Sequence, residues 1–157
     1  MNMMEMLGVL LIALVAIAGS AVYLNSGFSK SKVASLEQDI VTMRMQIQQL
    51  FASSSDYSGL DDTTAIKAGV VPPNLIKGSR LKTPWGGEIN LSTNDSHGSF
   101  TIELSGIPQN ECTQLAKFQT DAWLSVSVNG NILDSDNTIT DIVNACTKSN
   151  TIAYEAR

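Results

Sequence analysis

The chain is poor in the residues from which most catalytic and metal sites are built. It has one histidine, His97, and two cysteines, Cys112 and Cys146, in 157 residues. Neither cysteine belongs to a CxxC pair, which disfavours a metal site of Cys and His. A Ser-His-Asp arrangement has a single histidine to draw on, in a turn, with nothing local to orient it. No GxSxG elbow occurs, and Trp85-Gly86-Gly87 lacks the Lys and Ser/Thr that follow in a phosphate-cradling loop. Positive charge is also scarce. Ten Lys and Arg stand against fifteen Asp and Glu, for a net charge of −5 and a pI of about 4.7. That balance argues against nucleic acid as the main partner, because phosphate binding needs clustered Lys and Arg. These absences point to a protein that is not an enzyme and needs no cofactor and no metal. The Asp61-Asp62 pair is explained by the start of a short helix rather than by acid–base work. Asn90-Leu91-Ser92 and Asn94-Asp95-Ser96 match the glycosylation pattern, which is common by chance.

What the chain does have is an uneven spread of apolar residues. Hydrophobic residues make up 43% of it, but the first 24 are almost entirely apolar and the remainder is rich in Ser, Thr and Asn. Residues 6–24 contain no charge. As a helix they would span about 28 Å, close to the hydrocarbon thickness of a bilayer. A secretory signal peptide would want a basic start, a shorter apolar core and a cleavage site. No Lys or Arg precedes the run, and the apolar stretch continues past Ala16-Ile17-Ala18, the nearest imitation of such a site. The missing basic flank removes the usual orientation cue. Removing the apolar stretch leaves about 130 residues, enough for one modest core.

The cysteines bear on compartment. A Cys112–Cys146 bridge would close a loop of about 35 residues and stabilise by roughly 3–4 kcal/mol in the chain-entropy model. It would imply an oxidising compartment outside the cytoplasm. The other reading is two buried thiols in a cytosolic protein.

From residue 33 the pattern changes. Val33, Leu36, Ile40, Met43, Ile47 and Leu50 recur at spacings of 3 and 4, a narrow apolar stripe along one helix face. Fewer than three heptads is short for a coiled coil, so the stripe is expected to pack on a sheet of the same chain. Two soft points interrupt good helix formers: Gly19-Ser20, and Asn25-Ser26-Gly27 with its neighbours. The helix is expected to run to about Ala52. The organisation expected is therefore residues 1–28 as an apolar half-helix and residues 29–157 as a head that includes the amphipathic half, 29–52.

The head reads as α+β. Asp61 to Gly69 has acids at its start and glycine just past its end, the signature of a short helix. Val71-Pro72-Pro73 is a stiff break. Residues 88–92 and 100–104 alternate as strands around turn residues 93–98, predicting a hairpin. Residues 108–121 read as a helix with proline in its first turn, and Leu115 and Phe118 share the face of Cys112. Residues 123–128 read as a strand followed by an Asn129-Gly130 turn into Ile132-Leu133. Residues 138–146 hold one or two helical turns, and residues 152–154 form a closing strand. Together these predict an antiparallel sheet with short helices on one side and the N-terminal helix packed against it.

Charge is segregated. Lys67, Lys77, Arg80 and Lys82 sit in one middle segment, whereas from Glu88 onward nine acids face only Lys117, Lys148 and Arg157. This is either a normal mixed surface or a pair of complementary faces on a self-associating subunit.

Glu5 is the odd residue of the apolar start. A carboxylate at the edge of a spanning segment costs up to about 3 kcal/mol if it lies deep. It either reaches the headgroup layer or awaits a cationic partner. No Lys or Arg lies within the segment; the chain's own N-terminal amine and that of a neighbouring copy are the cations at hand.

The opening MNMMEMLGVLLIALVAIAGSAV resembles the mature N-terminus of a type IV pilin. Methionine at position one resembles the type IVb subclass, and the order of elements in the head is similar to that subclass in layout. The resemblance implies a processed chain, released by a prepilin peptidase and methylated at Met1. It implies that Glu5 pairs with the Met1 amine of a neighbouring subunit during docking. It implies one disulfide, Cys112–Cys146, and the type IV pilin fold. It further implies a major pilin, held in the inner membrane with its head in the periplasm, that polymerises with copies of itself through pilus assembly machinery. The extracellular filament would serve adhesion, aggregation or conjugative contact. Two readings compete with it: a pseudopilin or minor pilin of a related secretion or filament system, and a single-span membrane protein with an extracytoplasmic ligand-binding head.

Overall fold

The structure is a computed structural model and describes residues 24–157 apart from residues 119 and 135. The chain divides after Ser31 into two compact units, and the second, Lys32–Arg157, holds the core. Helix α1 spans Leu24–Leu50. Within the second unit its stripe is sealed: Val33, Leu36, Ile40, Met43 and Ile47 are each 1% exposed or less. Each fully buried side chain of this kind contributes about 1.5–3 kcal/mol. Leu50 departs from the expected stripe and is 43% exposed. The helix ends there rather than at Ala52 because the next turn tightens, with the Ala52 and Ser54 amides bonding back three residues to Gln49 and Phe51. Phe51 takes the inward place instead. It packs at a tilt against Tyr57, 5.4 Å between centroids, and Tyr57 in turn meets Phe100 edge-on at 4.8 Å.

The connection after α1 is built from the caps its sequence announces. Helix α2 spans Asp62–Ala68. The Asp61 carboxylate accepts from the Thr64 amide at 2.7 Å, and Gly69 closes the helix at φ 73°. Asp62 faces inward, where its carboxylate accepts from the Leu91 amide at 2.6 Å and ties α2 to the sheet. Pro73–Leu75 makes a 3₁₀ turn beside α1, with Asn74 donating to Asp39 at 2.6 Å. A two-stranded ribbon follows, β1 (Ile76–Lys77) and β2 (Arg80–Leu81). It is too short to leave an alternation signal in the sequence.

The main sheet has five antiparallel strands: β3 (Ile89–Thr93), β4 (Phe100–Pro108), β5 (Ser125–Val128), β6 (Asn131–Leu133) and β7 (Ser149–Ala156). Their order is β3-β4-β7-β5-β6, so the last strand in sequence lies at the centre. Its inward residues Asn150, Ile152, Tyr154 and Ala156 are all buried. The β3–β4 and β5–β6 hairpins form where the turn residues predict them. Asn129 and Gly130 take φ of 52° and 86°, as a two-residue turn between twisted strands requires.

Strand β4 is longer than its alternation suggested, because a bulge between Leu104 and Ile107 interrupts the period without ending the strand. Gly106 sits in the bulge at φ 65°, and its Cα packs against Gly87. A Cβ on Gly87 would lie 1.9 Å from the Ser105 carbonyl oxygen, so this crossing of backbones requires glycine. Helix α3 spans Gln109–Ala116, shorter than expected, with Pro108 as its N-cap and still paired to Ser149. Strand β5 starts at Ser125 rather than residue 123, since Trp123 and Leu124 enter by a bend. Helix α4 spans Ile139–Ala145 and opens with a capping box in which Thr138 and Asp141 bond each other's backbone amides.

Burial of the α1 stripe makes one prediction. Ile40→Ala should cost about 3 kcal/mol by creating a core cavity, whereas Leu50→Ala should stay within about 0.5 kcal/mol. Denaturant unfolding of the detergent-solubilised full chain measures both. Equal effects would contradict the observed facing of the helix.

Candidate assembly surface

Helix residues two apart point about 200° apart. Glu37 and Asp39 therefore lie on opposite flanks of the buried row. The Asp39 flank carries the Pro73–Leu75 turn through Asn74. On the Glu37 flank, Arg44 lays its guanidinium 4.6 Å from the centroid of the Trp123 ring, and Gln48 donates to the Arg157 carbonyl at 2.7 Å. Trp123 in turn lies 5.0 Å from Tyr154. The Tyr154 hydroxyl is buried and donates to the Leu115 carbonyl, joining the central strand to α3. Burial, helped by the charge of Glu37, raises the Tyr154 phenol well above its ordinary value, so it stays a neutral donor.

A groove of about 530 Å³ opens on this flank, lined by Ala34, Glu37, Gln38, Val41, Thr42 and Phe118. Glu37 is half-buried, and among the described residues it has no hydrogen-bond or ion-pair partner. Desolvation raises its carboxyl above the ordinary carboxylate value. On the sequence alone Glu37 was one polar residue among several on the outer face of a helix. Only the placement of Phe118 beside it distinguishes it.

The cysteines are bridged, with Cα atoms 5.9 Å apart. The bond joins α3 to the end of α4, so residues 112–146 form a closed segment on the Glu37 side of α1. It carries exposed apolar side chains, Ile132 at 70%, Ile139 at 56% and Val143 at 47%. Behind the bridge stands Asn150, which the sequence reading missed. Buried to 1%, it donates to the carbonyls of Ile107 and Thr147 and accepts from the Thr147 amide and from Asn129. A buried amide with every group satisfied holds one geometry. Here it pins the β4 bulge, the β5–β6 turn and the exit from Cys146 together. An asparagine inside an alternating strand is the signal that marks it.

The basic middle segment is less free than its sequence suggests. Glu88 binds both Arg80 at 3.0 Å and Lys82 at 3.5 Å, and the Asp61 carboxyl, held below its ordinary value chiefly by the hydrogen bond from the Thr64 amide, is lowered further by the charge of Lys67. Lys77 stands apart. It is exposed at the end of β1, and among the described residues it has no charged partner. His97 occupies the β3–β4 turn at φ 58° and shares a hydrogen bond with Thr93, the role of a turn residue.

Met1, Glu5, Gly19 and Ser20 lie outside the described residues. Asn25, Ser26 and Gly27 fall inside α1, whose backbone is helical through them. Among the described residues no helix is long and apolar enough to cross a membrane, and no group of three or more His, Cys, Asp or Glu is placed to hold a metal.

Residues 30–156 match the family model described as PilS N terminal. The major structural subunit of bundle-forming pilus from Escherichia coli O111:H- is 24% identical over 149 residues, covering 92% of this chain and 76% of its own length. The protein of the same name from Escherichia coli O127:H6 (strain E2348/69 / EPEC) is 24% identical over 120 residues, covering 74% of this chain and 62% of its own length. In three dimensions the chain is similar to TcpA, a type IV pilin from Vibrio cholerae El Tor biotype, with a TM-score of 0.56 at 16% identity. The match covers 81% of this chain and 99% of that one.

Two predictions arise from this surface. Replacing both cysteines by serine should destabilise the head by about 3–4 kcal/mol; a melting temperature unchanged under oxidising conditions would contradict this. Glu37→Gln should stabilise the subunit at pH 7. With its pKa raised on folding, Glu37 binds more protons folded than unfolded, so its charge costs stability as pH rises through the ordinary carboxylate range. The gain should vanish near pH 3.5, where both states are protonated. Melting curves at the two pH values measure it.

Proposed function

The chain belongs to the PilS N-terminal family, and from that premise we propose that it is the major structural subunit of a type IVb pilus. The observation that carries this reading is the type IV pilin fold of the head, with a buried helix row on an antiparallel sheet and a disulfide-closed segment at its side. The relatives named as bundle-forming pilus subunits support it.

The mechanism is assembly rather than chemistry. Residues 1–28 wait in the inner membrane, with the head of residues 29–157 in the periplasm, where oxidation closes the Cys112–Cys146 bridge. A prepilin peptidase frees and methylates Met1, and the assembly machinery extracts the subunit. The apolar segment exchanges lipid contacts for those of like helices, among which packing and polar pairing set the association. Glu5 docks on the Met1 amine of a neighbouring copy, because a carboxylate in an apolar medium is tolerated only when paired. Gly19-Ser20 or Asn25-Ser26-Gly27 absorbs the bending or loosening that packing into an extracellular filament demands.

Glu5→Ala should leave folding and membrane insertion intact and lower filament yield. Electron microscopy of sheared surface material, with membrane fractionation as the control, measures both. Filaments at wild-type yield from this variant would overturn the role given to Glu5.

A further inference from the structure

Among the described residues, two features of the head have no charged partner within their own subunit. One is the Glu37 groove, where a half-buried carboxylate lies beside the Phe118 ring and the aliphatic side chains of Ala34 and Val41. The other is the β1–β2 hairpin tip, where Lys77 is exposed next to Gly78 at φ 66° while Arg80 across the ribbon is held by Glu88. The hairpin follows the turn that Asn74 fastens to the Asp39 flank of α1, whereas the groove lies on the Glu37 flank. The two features are thus chemically complementary and lie on different sides of the same helix. A second copy presents the same tip to this groove in trans.

We propose that, within the filament read above, the Lys77 hairpin tip of one subunit seats in the Glu37 groove of the next. The groove suits a lysine in both its parts. Phe118, Ala34 and Val41 cover the methylene stem, as apolar surface does for long cationic side chains, and Glu37 meets the ammonium. The raised carboxyl of Glu37 supports the match, since a carboxylate that is costly in the isolated subunit gains most from a cation brought to it. Because the donor and acceptor patches differ, the contact is heterologous. Each copy that gives its tip leaves its groove open for another, and a heterologous contact that does not close on itself propagates as an open helix. A self-complementary dimer would instead use one patch twice.

The inference rests on the filament reading, and the test separates the two. The full chain is expressed with its assembly machinery, and sheared filaments are quantified alongside the melting temperature of the solubilised subunit. Lys77→Glu should leave the melting temperature unchanged and lower filament yield by about fivefold. Glu37→Gln should raise the melting temperature at pH 7 and lower filament yield, opposite directions that a purely structural role would not produce. The reversed pair Glu37→Lys with Lys77→Glu should recover at least about half of the wild-type yield. If Glu37→Lys does not fold, Glu37→Gln combined with Lys77→Gln decides. A combined loss no greater than the larger single loss supports the contact, and losses that multiply overturn it. Wild-type yields from both Lys77→Glu and Glu37→Gln overturn the contact while leaving the pilin reading intact. Absence of filaments from the wild type removes both.

Discussion

The structure depends on one burial: five side chains of α1, from Val33 to Ile47, laid against the sheet. A helix with one narrow apolar row cannot hold itself in water, and most helical stability in proteins comes from tertiary packing. The sheet likewise needs a cover for its inner face. Each completes the other, and the position of every other feature follows from the direction in which α1 lies. The aromatic step from Phe51 through Tyr57 to Phe100 closes one end of this core, where the helix has to stop.

The central strand converts that burial into a shape. Strand β7 is last in sequence and lies between β4 and β5, so the sheet is complete only when the end of the chain is in place. Tyr154 and Asn150, both on β7, carry the polar bonds that fasten α3, the bulge and the disulfide exit to it. The bridge then shortens the closed segment's freedom in the unfolded state. The disulfide thus restrains residues 112–146 beside the Glu37 flank of α1, and the opposite flank carries a connection held by its caps, its buried side chains and the Asp62–Leu91 and Asn74–Asp39 bonds.

That asymmetry suits a subunit which meets its copies through unlike surfaces. Ion pairing inside the subunit engages Arg80 and Lys82 on Glu88, leaving Lys77 exposed on one flank and Glu37 half-buried in a groove on the other. Exposed ion pairs are worth little in a lone molecule. A half-buried carboxylate waiting for a cation is different, because its desolvation has already been incurred on folding.

Much of this was legible in the sequence, and for local reasons. The 3-and-4 spacing of Val33 to Ile47 can bury only as a helix row. Asp61 and Gly69 bracket a helix because side-chain oxygens satisfy amides at one end and glycine accepts positive φ at the other. Asn129-Gly130 turns a hairpin for the same backbone reason. Two cysteines without a histidine cluster left a single bridge as the simplest pairing. What the sequence did not disclose is whatever depends on residues far apart. The central place of β7, the bulge hidden by Gly106, the outward turn of Leu50 and the role of Asn150 are set by partners that no local pattern names. The same holds for Glu37 and Lys77: their charges are read from the chain, but whether a charge is already paired is decided only when the fold brings Glu88 to Arg80 and Phe118 to the outer face of α1.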